Sequence, residues 1–164
     1  MKRSDLERKH KKVNLKIVEN EKELNEAYSV RTTVFVDEQN VPMEEEIDQY
    51  EDEATHFVLY DENTPVGAGR FRIVDGYGKV ERICVLKQYR KTGAGKTIMN
   101  GIEKFATEKG LRKLKLNAQT HAIPFYAGLG YEVVSDEFLD AGIPHKTMVK
   151  HTLIDELQSI KAEA

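Results

Sequence analysis

An apolar run closes at Val85-Leu86, and Arg90-Lys91-Thr92-Gly93-Ala94-Gly95-Lys96 follows it, ahead of a helical pattern. Glycines let backbone N–H groups close around an anion, and a helix N-terminus turns partial positive charge toward it. Arg90, Lys91 and Lys96 add formal charge around the turn. The chemistry such a turn suits is the binding of a pyrophosphate. Gly95-Lys96-Thr97 also reads like the end of a nucleotide-triphosphate loop. That loop needs a glycine five residues before Gly95, and the residue there is Arg90, whose side chain obstructs the wrap around the phosphates.

The elements that must position this turn are legible from periodicity. Leu15 and Ile17 alternate with polar residues, which predicts a first strand. Leu24, Ala27, Tyr28, Arg31 and Phe35 follow helical spacing, with Asn20 as the cap ahead of Glu21 and Glu23. Nine of the seventeen residues from Asp37 to Glu53 are acidic, a run expected to form a solvated loop or a short exposed helix. Three strands follow at about 55–61, 66–74 and 78–86, separated by Asn63-Thr64-Pro65 and Asp75-Gly76. Ala94, Ile98, Ile102, Phe105 and Ala106 share a helical face that Gly110 ends. A strand around Leu114 and Leu116, a short helix at about 122–129 and strands at about 131–135 and 145–152 complete the order β-α-βββ-α-β-α-ββ. Consecutive strands in the first half imply a mixed, mostly antiparallel α/β sheet of about seven strands flanked by helices, not a doubly wound parallel one.

Bulk properties narrow the class. A chain of 164 residues, 40% apolar and 32% charged, is expected to form one soluble domain over residues 13–152. Its net charge of −3 gives no general reason to bind nucleic acid. No apolar run reaches the ~20 residues that span a bilayer. The lone Cys84 fits a reducing compartment, so a cytoplasmic location is expected. Residues 1–12 read as a basic leader. Residues 153–164, with Leu153, Ile154, Leu157 and Ile160, read as an amphipathic segment that packs back or supports a homodimer.

Read as Arg-x-x-Gly-x-Gly, Arg90 to Gly95 resembles the coenzyme A pyrophosphate signature of the GNAT family of N-acetyltransferases. Val85 and Arg90 match the family's strand end, Val-x-x-x-x-Arg. Tyr126-Ala127-Gly128-Leu129-Gly130-Tyr131 matches a later Tyr-x-x-x-Gly-aromatic segment. Arg31 to Gln39, His56 and Asp140 to His145 are similar to segments of a small bacterial single-domain subgroup. The resemblance covers about residues 14–152. It implies a GNAT-like fold in which the strands flanking the pyrophosphate helix run parallel and splay apart. It also implies acetyl-CoA as cosubstrate, with no metal.

Acyl transfer to an amine requires that the amine lose a proton, that the oxyanion find a donor and that the departing thiolate be protonated. The resemblance implies main-chain contacts from Val85 and Leu86, a cofactor cradle of Arg90, Lys91, Thr92, Gly93, Ala94, Gly95 and Lys96, and an amide contact from Gln119 or Asn117. It gives Tyr126 the thiolate's proton, since a phenol of pKa about 10 stays protonated where a thiol of about 8.5 leaves as an anion. Glu81, four residues before Val85, is where several members carry a general base, while Arg82 faces the other way if the strand is regular and can hold Glu81 or a substrate carboxylate if it bulges. His121 and His145 are the other acid–base candidates. Cys84, in mid-strand, is a small core residue before it is an acyl-carrying nucleophile. No His or Cys spacing suits zinc. The acidic run, on the implied acceptor side, would favour a small cationic amine or amino-acid-like acceptor. The function expected is direct acetyl transfer from acetyl-CoA to a primary amine in a ternary complex. A non-catalytic acyl-CoA sensor is the other reading, and loss of Glu81 and Tyr126 would be its sign. Both are present.

Overall fold

The computed structural model describes residues 13–152. The expected leader and the C-terminal amphipathic segment, with its dimer role, lie outside the described residues. Strand β1 (Val13–Ile17) leads into helix α1 (Glu21–Arg31), and Asn20 caps it through its side-chain oxygen, 2.9 Å from the Glu23 N–H. The helix continues into a π-helical segment, Thr32–Glu38, whose β-branched run Thr32-Thr33-Val34 crowds an ordinary helical turn. A four-residue helix α2 (Met43–Glu46) comes next. Then come β2 (Thr55–Asp61), β3 (Thr64–Val74) and β4 (Tyr77–Val85), and after a 3₁₀ turn the long helix α3 (Ala94–Glu108). The chain finishes with β5 (Lys113–Gln119), α4 (Ile123–Gly128), β6 (Glu132–Val133), β7 (Phe138–Asp140) and β8 (Ile143–His151).

The strands pair in the order β1-β2-β3-β4-β5-β8-β6, with β7 also on β8. The sheet is mixed and mostly antiparallel, as expected, but has eight strands where about seven were predicted. The added strand is β7. Ala141 and Gly142 both have positive φ, 51° and 75°, and so form a two-residue hairpin that pairs Asp140 with Ile143. An alanine in that conformation leaves no signal in the sequence.

Two compact units emerge, one built from residues up to Phe71 with Arg82–Ile102, the other from Arg72–Glu81 with Glu103 onward. In the first, β1, β2 and β3 pair antiparallel, and Ala27, Val30, Val34, Val58, Ala68 and Cys84 form a buried cluster. The first half of α3 lies close over β3 because glycines stand beneath it. A Cβ on Gly67 would sit 2.8 Å from Ile98 Cδ1, and one on Gly69 3.1 Å from Ile102 Cδ1. In the second unit β4 pairs parallel with β5 over Gly78–Val80 and Leu114–Leu116, and β5 pairs antiparallel with β8. Val80, Leu114, Leu116, Ala118 and Met148 are buried on one face. Gly110, at φ 79°, ends α3 as its place in the sequence predicts.

Candidate active site

In the first unit the pyrophosphate turn is assembled from three local decisions. Arg90 is extended, Lys91 is left-handed at φ 63°, and Gly93 has φ 90°, a value that glycine takes without strain. Thr92 Oγ1 donates to the Tyr89 carbonyl, and Thr97 N–H donates to Gly93 O at 3.0 Å, the first bond of α3. The leading N–H groups of a helix have no intrahelical acceptor, so those at Ala94, Gly95 and Lys96 are available to an anion. The turn therefore fits a pyrophosphate. Arg90 is less open than its charge suggests. Its guanidinium reaches Glu38 at 2.6 Å and the Val85 carbonyl at 3.0 Å. Leu86 donates its N–H to Val66 O at 2.9 Å and accepts from Tyr89, so its main chain is already engaged. Cys84 is 5% exposed, and burial pushes its thiol up to about 12, far from a nucleophilic thiolate.

The acidic run corrects the expectation of a merely solvated loop. Glu46 and Glu51 are 2% and 7% exposed, and arginines drawn from distant elements hold them. Arg31, fully buried, donates to Glu46 Oε1 at 2.7 Å and to both oxygens of Glu51 at 2.9 and 2.7 Å. Arg70 donates to Asp48 at 2.7 Å and lies 3.0 Å from Glu51. Burial alone would raise both glutamates. For Glu51, paired hydrogen bonds from Arg31 and the nearby Arg70 overcome that and bring the carboxyl down to about 2. For Glu46, more deeply buried, burial prevails and its pKa is raised. His56 lies against this network. Its Nε2–H donates to the Glu51 carbonyl at 2.9 Å, its Nδ1 is buried without a hydrogen-bond partner, and burial lowers its pKa. Sequence reasoning missed this network. Its one signal is that Arg31, Arg70 and Arg82 each sit within an apolar pattern.

Strand β4 is not regular. Arg82 has φ 58°, which breaks the alternation that would set it opposite Glu81. Arg82 binds Glu46 and Asp48, not Glu81.

The second unit holds the other predicted residues. Glu81 is clamped by Arg72, whose Nε is 2.7 Å away, and by Lys79 Nζ at 3.7 Å. Asn117 Oδ1 accepts from Thr147 at 2.9 Å, and His121 Nε2 is 2.7 Å from Gln119 Oε1. His145 is 8% exposed and stacks on Phe138. Its Nδ1 is 2.6 Å from the Ile143 carbonyl, which can only accept, so Nδ1 carries a proton and Nε2 keeps the lone pair of the neutral ring. Tyr126 is half-buried on α4, with its ring edge-on to Phe125 and Tyr131. Burial raises the Tyr131 phenol far above its ordinary value. Among the described residues no group of His, Cys, Asp and Glu is placed to hold a metal ion, and no helix is long and apolar enough to cross a membrane.

The family model for the acetyltransferase (GNAT) domain matches residues 16–152. The chain belongs to the GNAT acetyltransferase family. Its similarity to the Bacillus subtilis (strain 168) protein named Uncharacterized N-acetyltransferase YjcF is 58% identity over 135 residues, covering 82% of this chain and 96% of that one. An acyl-CoA N-acyltransferase from Pseudomonas aeruginosa superposes with a TM-score of 0.74 at 25% identity, over 84% of this chain and 97% of the other. A GNAT family acetyltransferase from Elizabethkingia anophelis, solved with acetyl-CoA bound, shares the fold with a TM-score of 0.68 at 13% identity, over 85% and 98% of the two chains. This GNAT domain is thus an acetyl-CoA-dependent acyltransferase, with acetyl-CoA as a cosubstrate and not a resident group. The Arg-x-x-Gly-x-Gly turn carried that identity in the sequence.

Proposed function

We propose that this chain transfers the acetyl group of acetyl-CoA directly to a primary amine, with both substrates bound together. The observation that carries the reading is the turn itself: Gly93 at φ 90° opens a fifteen-residue helix after the 3₁₀ turn that follows β4, with lysines on both sides. Lys91 to Lys96 would hold the pyrophosphate, Val85 the thioester carbonyl through its main chain, and Asn117 or Gln119 the pantetheine amide. The cosubstrate supplies the activated acetyl group. The chain supplies a proton from the Tyr126 phenol to the departing thiolate, and a base that takes the amine's proton.

Of the three candidate bases, His145 fits best. Its donated Nδ1–H fixes the tautomer and leaves Nε2 basic. Glu81 is already ion-paired with Arg72 at 2.7 Å and lies 3.7 Å from Lys79 Nζ, which suits a positioning role. His121 is exposed and engaged with Gln119. Direct transfer is supported by the state of Cys84, whose thiol is too buried and too weakly acidic to carry the acyl group.

A small cationic amine is the acceptor class supported by the exposed carboxylates Glu44 and Glu45, which stand outside the arginine network. Glu46, Asp48 and Glu51 do not contribute to that preference, since arginines already neutralise them. The deciding experiment is thermal denaturation with acetyl-CoA, with magnesium-ATP in parallel, followed by thiol release across a panel of amines. A shift with acetyl-CoA alone and amine-dependent thiol release support the reading. A shift without release makes the chain an acyl-CoA sensor, and a shift with ATP alone overturns the turn assignment. Replacing Glu44 and Glu45 by Gln should raise the acceptor KM and reduce its salt dependence, and unchanged values would remove the cationic preference.

A further inference from the structure

We infer that Glu46 is a positioning residue for acyl transfer: it pins the left-handed backbone at Arg82, and so fixes where the end of β4, up to Val85, presents its main chain. The inference rests on the reading that Val85 serves the thioester carbonyl. Arg82 is a non-glycine residue at φ 58° inside a strand. Side chains disfavour that region, and a residue stays there only when its surroundings over-determine it. The surroundings here are specific. Arg82 Nε is 3.0 Å from Glu46 Oε2 and 3.3 Å from the Glu46 carbonyl, and its Nη2 reaches the Glu45 carbonyl and Asp48 Oδ2, both at 3.2 Å.

Glu46 is itself immobilised. Its other oxygen accepts from Arg31 Nε at 2.7 Å, and Arg31 Nη2 donates to the Glu46 carbonyl at 2.8 Å. Arg31, fully buried, is fixed in turn by Glu51 at 2.7 Å. The last residue of α2 therefore ties the end of α1 to the irregular point of β4. Buried ion pairs stabilise a fold poorly compared with apolar packing of equal volume, so stability alone is a weak reason to retain this one. What it does supply is a fixed backbone three residues before Val85. A left-handed residue interrupts the pleat and re-aims the strand beyond it, as at a bulge. A glycine at 82 would take the same φ without strain. An arginine holds it only while its guanidinium is tethered.

The test uses the full chain with acetyl-CoA and an accepted amine. Glu46→Gln should lower kcat about tenfold or more, since small misplacements of a reacting group carry costs of that order. The KM for acetyl-CoA should stay within about twofold. Adding Arg82→Gly to Glu46→Gln should recover most of the lost kcat, because glycine takes the left-handed backbone unaided. Adding Arg82→Ala should recover none. If Glu46→Gln does not fold, the single variants carry the test, with Arg82→Gly expected to be several-fold faster than Arg82→Ala. Unchanged kcat in Glu46→Gln, or equal losses in Arg82→Gly and Arg82→Ala, would overturn the inference. The second result would assign the role to the guanidinium itself. Failure of the wild-type chain to transfer acetyl groups would be a different failure, that of the underlying reading, and it is seen before any variant is made.

Discussion

At the scale of single residues, protonation state separates the groups that can react from those that only resemble reactive ones. Cys84 has the right chemistry for an acyl carrier, but burial pushes its thiol up to about 12, so at neutral pH it is a small apolar side chain in the cluster with Val58 and Ala68. Cys84→Ala should keep kcat within about threefold, cost about 1 kcal/mol of stability, and give the same absence of a pre-steady-state thiol burst as the parent. A large kcat loss at unchanged stability would mean an acyl-enzyme. Tyr126→Phe removes one hydroxyl from a half-buried ring whose aromatic neighbours, Phe125 and Tyr131, preserve its packing. It should lower kcat by about 100-fold with little change in acetyl-CoA affinity, in the range expected for a lost general acid. Poorly basic thiol leaving groups in the cosubstrate should rescue it. His145→Gln should lower kcat by about 100-fold, the range of a lost general base, and Glu81→Gln should lower it by less.

At the scale of elements, what could be read in the sequence was what depends on near neighbours. Asn20 is three residues from the N–H it caps, Gly110 sits just past the helix it stops, and the turn from Arg90 to Gly95 joins a strand and a helix whose periodicities are both plain. The arginine network depends on partners 15 to 37 residues apart. An acidic run carries no mark of which carboxylates will be taken inward, so Glu46 and Glu51 read like Glu44 and Glu45. Glycines within elements are similarly opaque until the packing is known. Gly67 of β3 and Gly101 of α3 both look like defects, yet they differ in kind. A Cβ at Gly67 would lie 2.8 Å from Ile98 Cδ1 and 3.3 Å from both the Cys84 carbonyl and Leu59 Cβ, with fixed atoms on two sides. Gly67→Ala should cost about 1–3 kcal/mol as overpacking. A Cβ at Gly101 would meet only the mobile end of Leu15, 2.1 Å from Cδ2 and 3.6 Å from Cγ. Rotation of that leucine can clear it, and alanine gains about 1 kcal/mol of helix propensity over glycine. Gly101→Ala should therefore be close to neutral. Chemical denaturation of the pair checks the contrast, and equal losses would show that Leu15 cannot yield.

At the scale of the whole molecule, the buried network should set the acid limit of stability, and the sign follows from which state holds each proton more tightly. Glu51 is depressed from an ordinary 4.5 to about 2, because the hydrogen bonds and charges of Arg31 and Arg70 exceed the cost of burial. A depressed carboxyl stabilises the fold fully above its unfolded value, and that stabilisation is lost as the pH falls through 4.5 toward about 2. The amount is on the order of 3 kcal/mol. His56 acts at higher pH. Burial lowers its pKa from 6.5, so the unfolded chain takes up that proton first, and stability begins to decline as the pH drops below 6.5. Glu46, raised by burial, works the other way and offsets part of the Glu51 loss, since the folded state accepts its proton readily. The denaturation midpoint should thus be level at neutral pH, slope gently below 6.5 and steepen below 4.5. Glu51→Gln should be less stable than the parent at pH 7, because two buried arginines lose a partner. Its profile should nonetheless be flatter between pH 4.5 and 2, with the two curves converging in acid. Parallel curves across that window would mean that another carboxylate governs acid unfolding, and that the arginines hold Glu51 in place without holding it ionised.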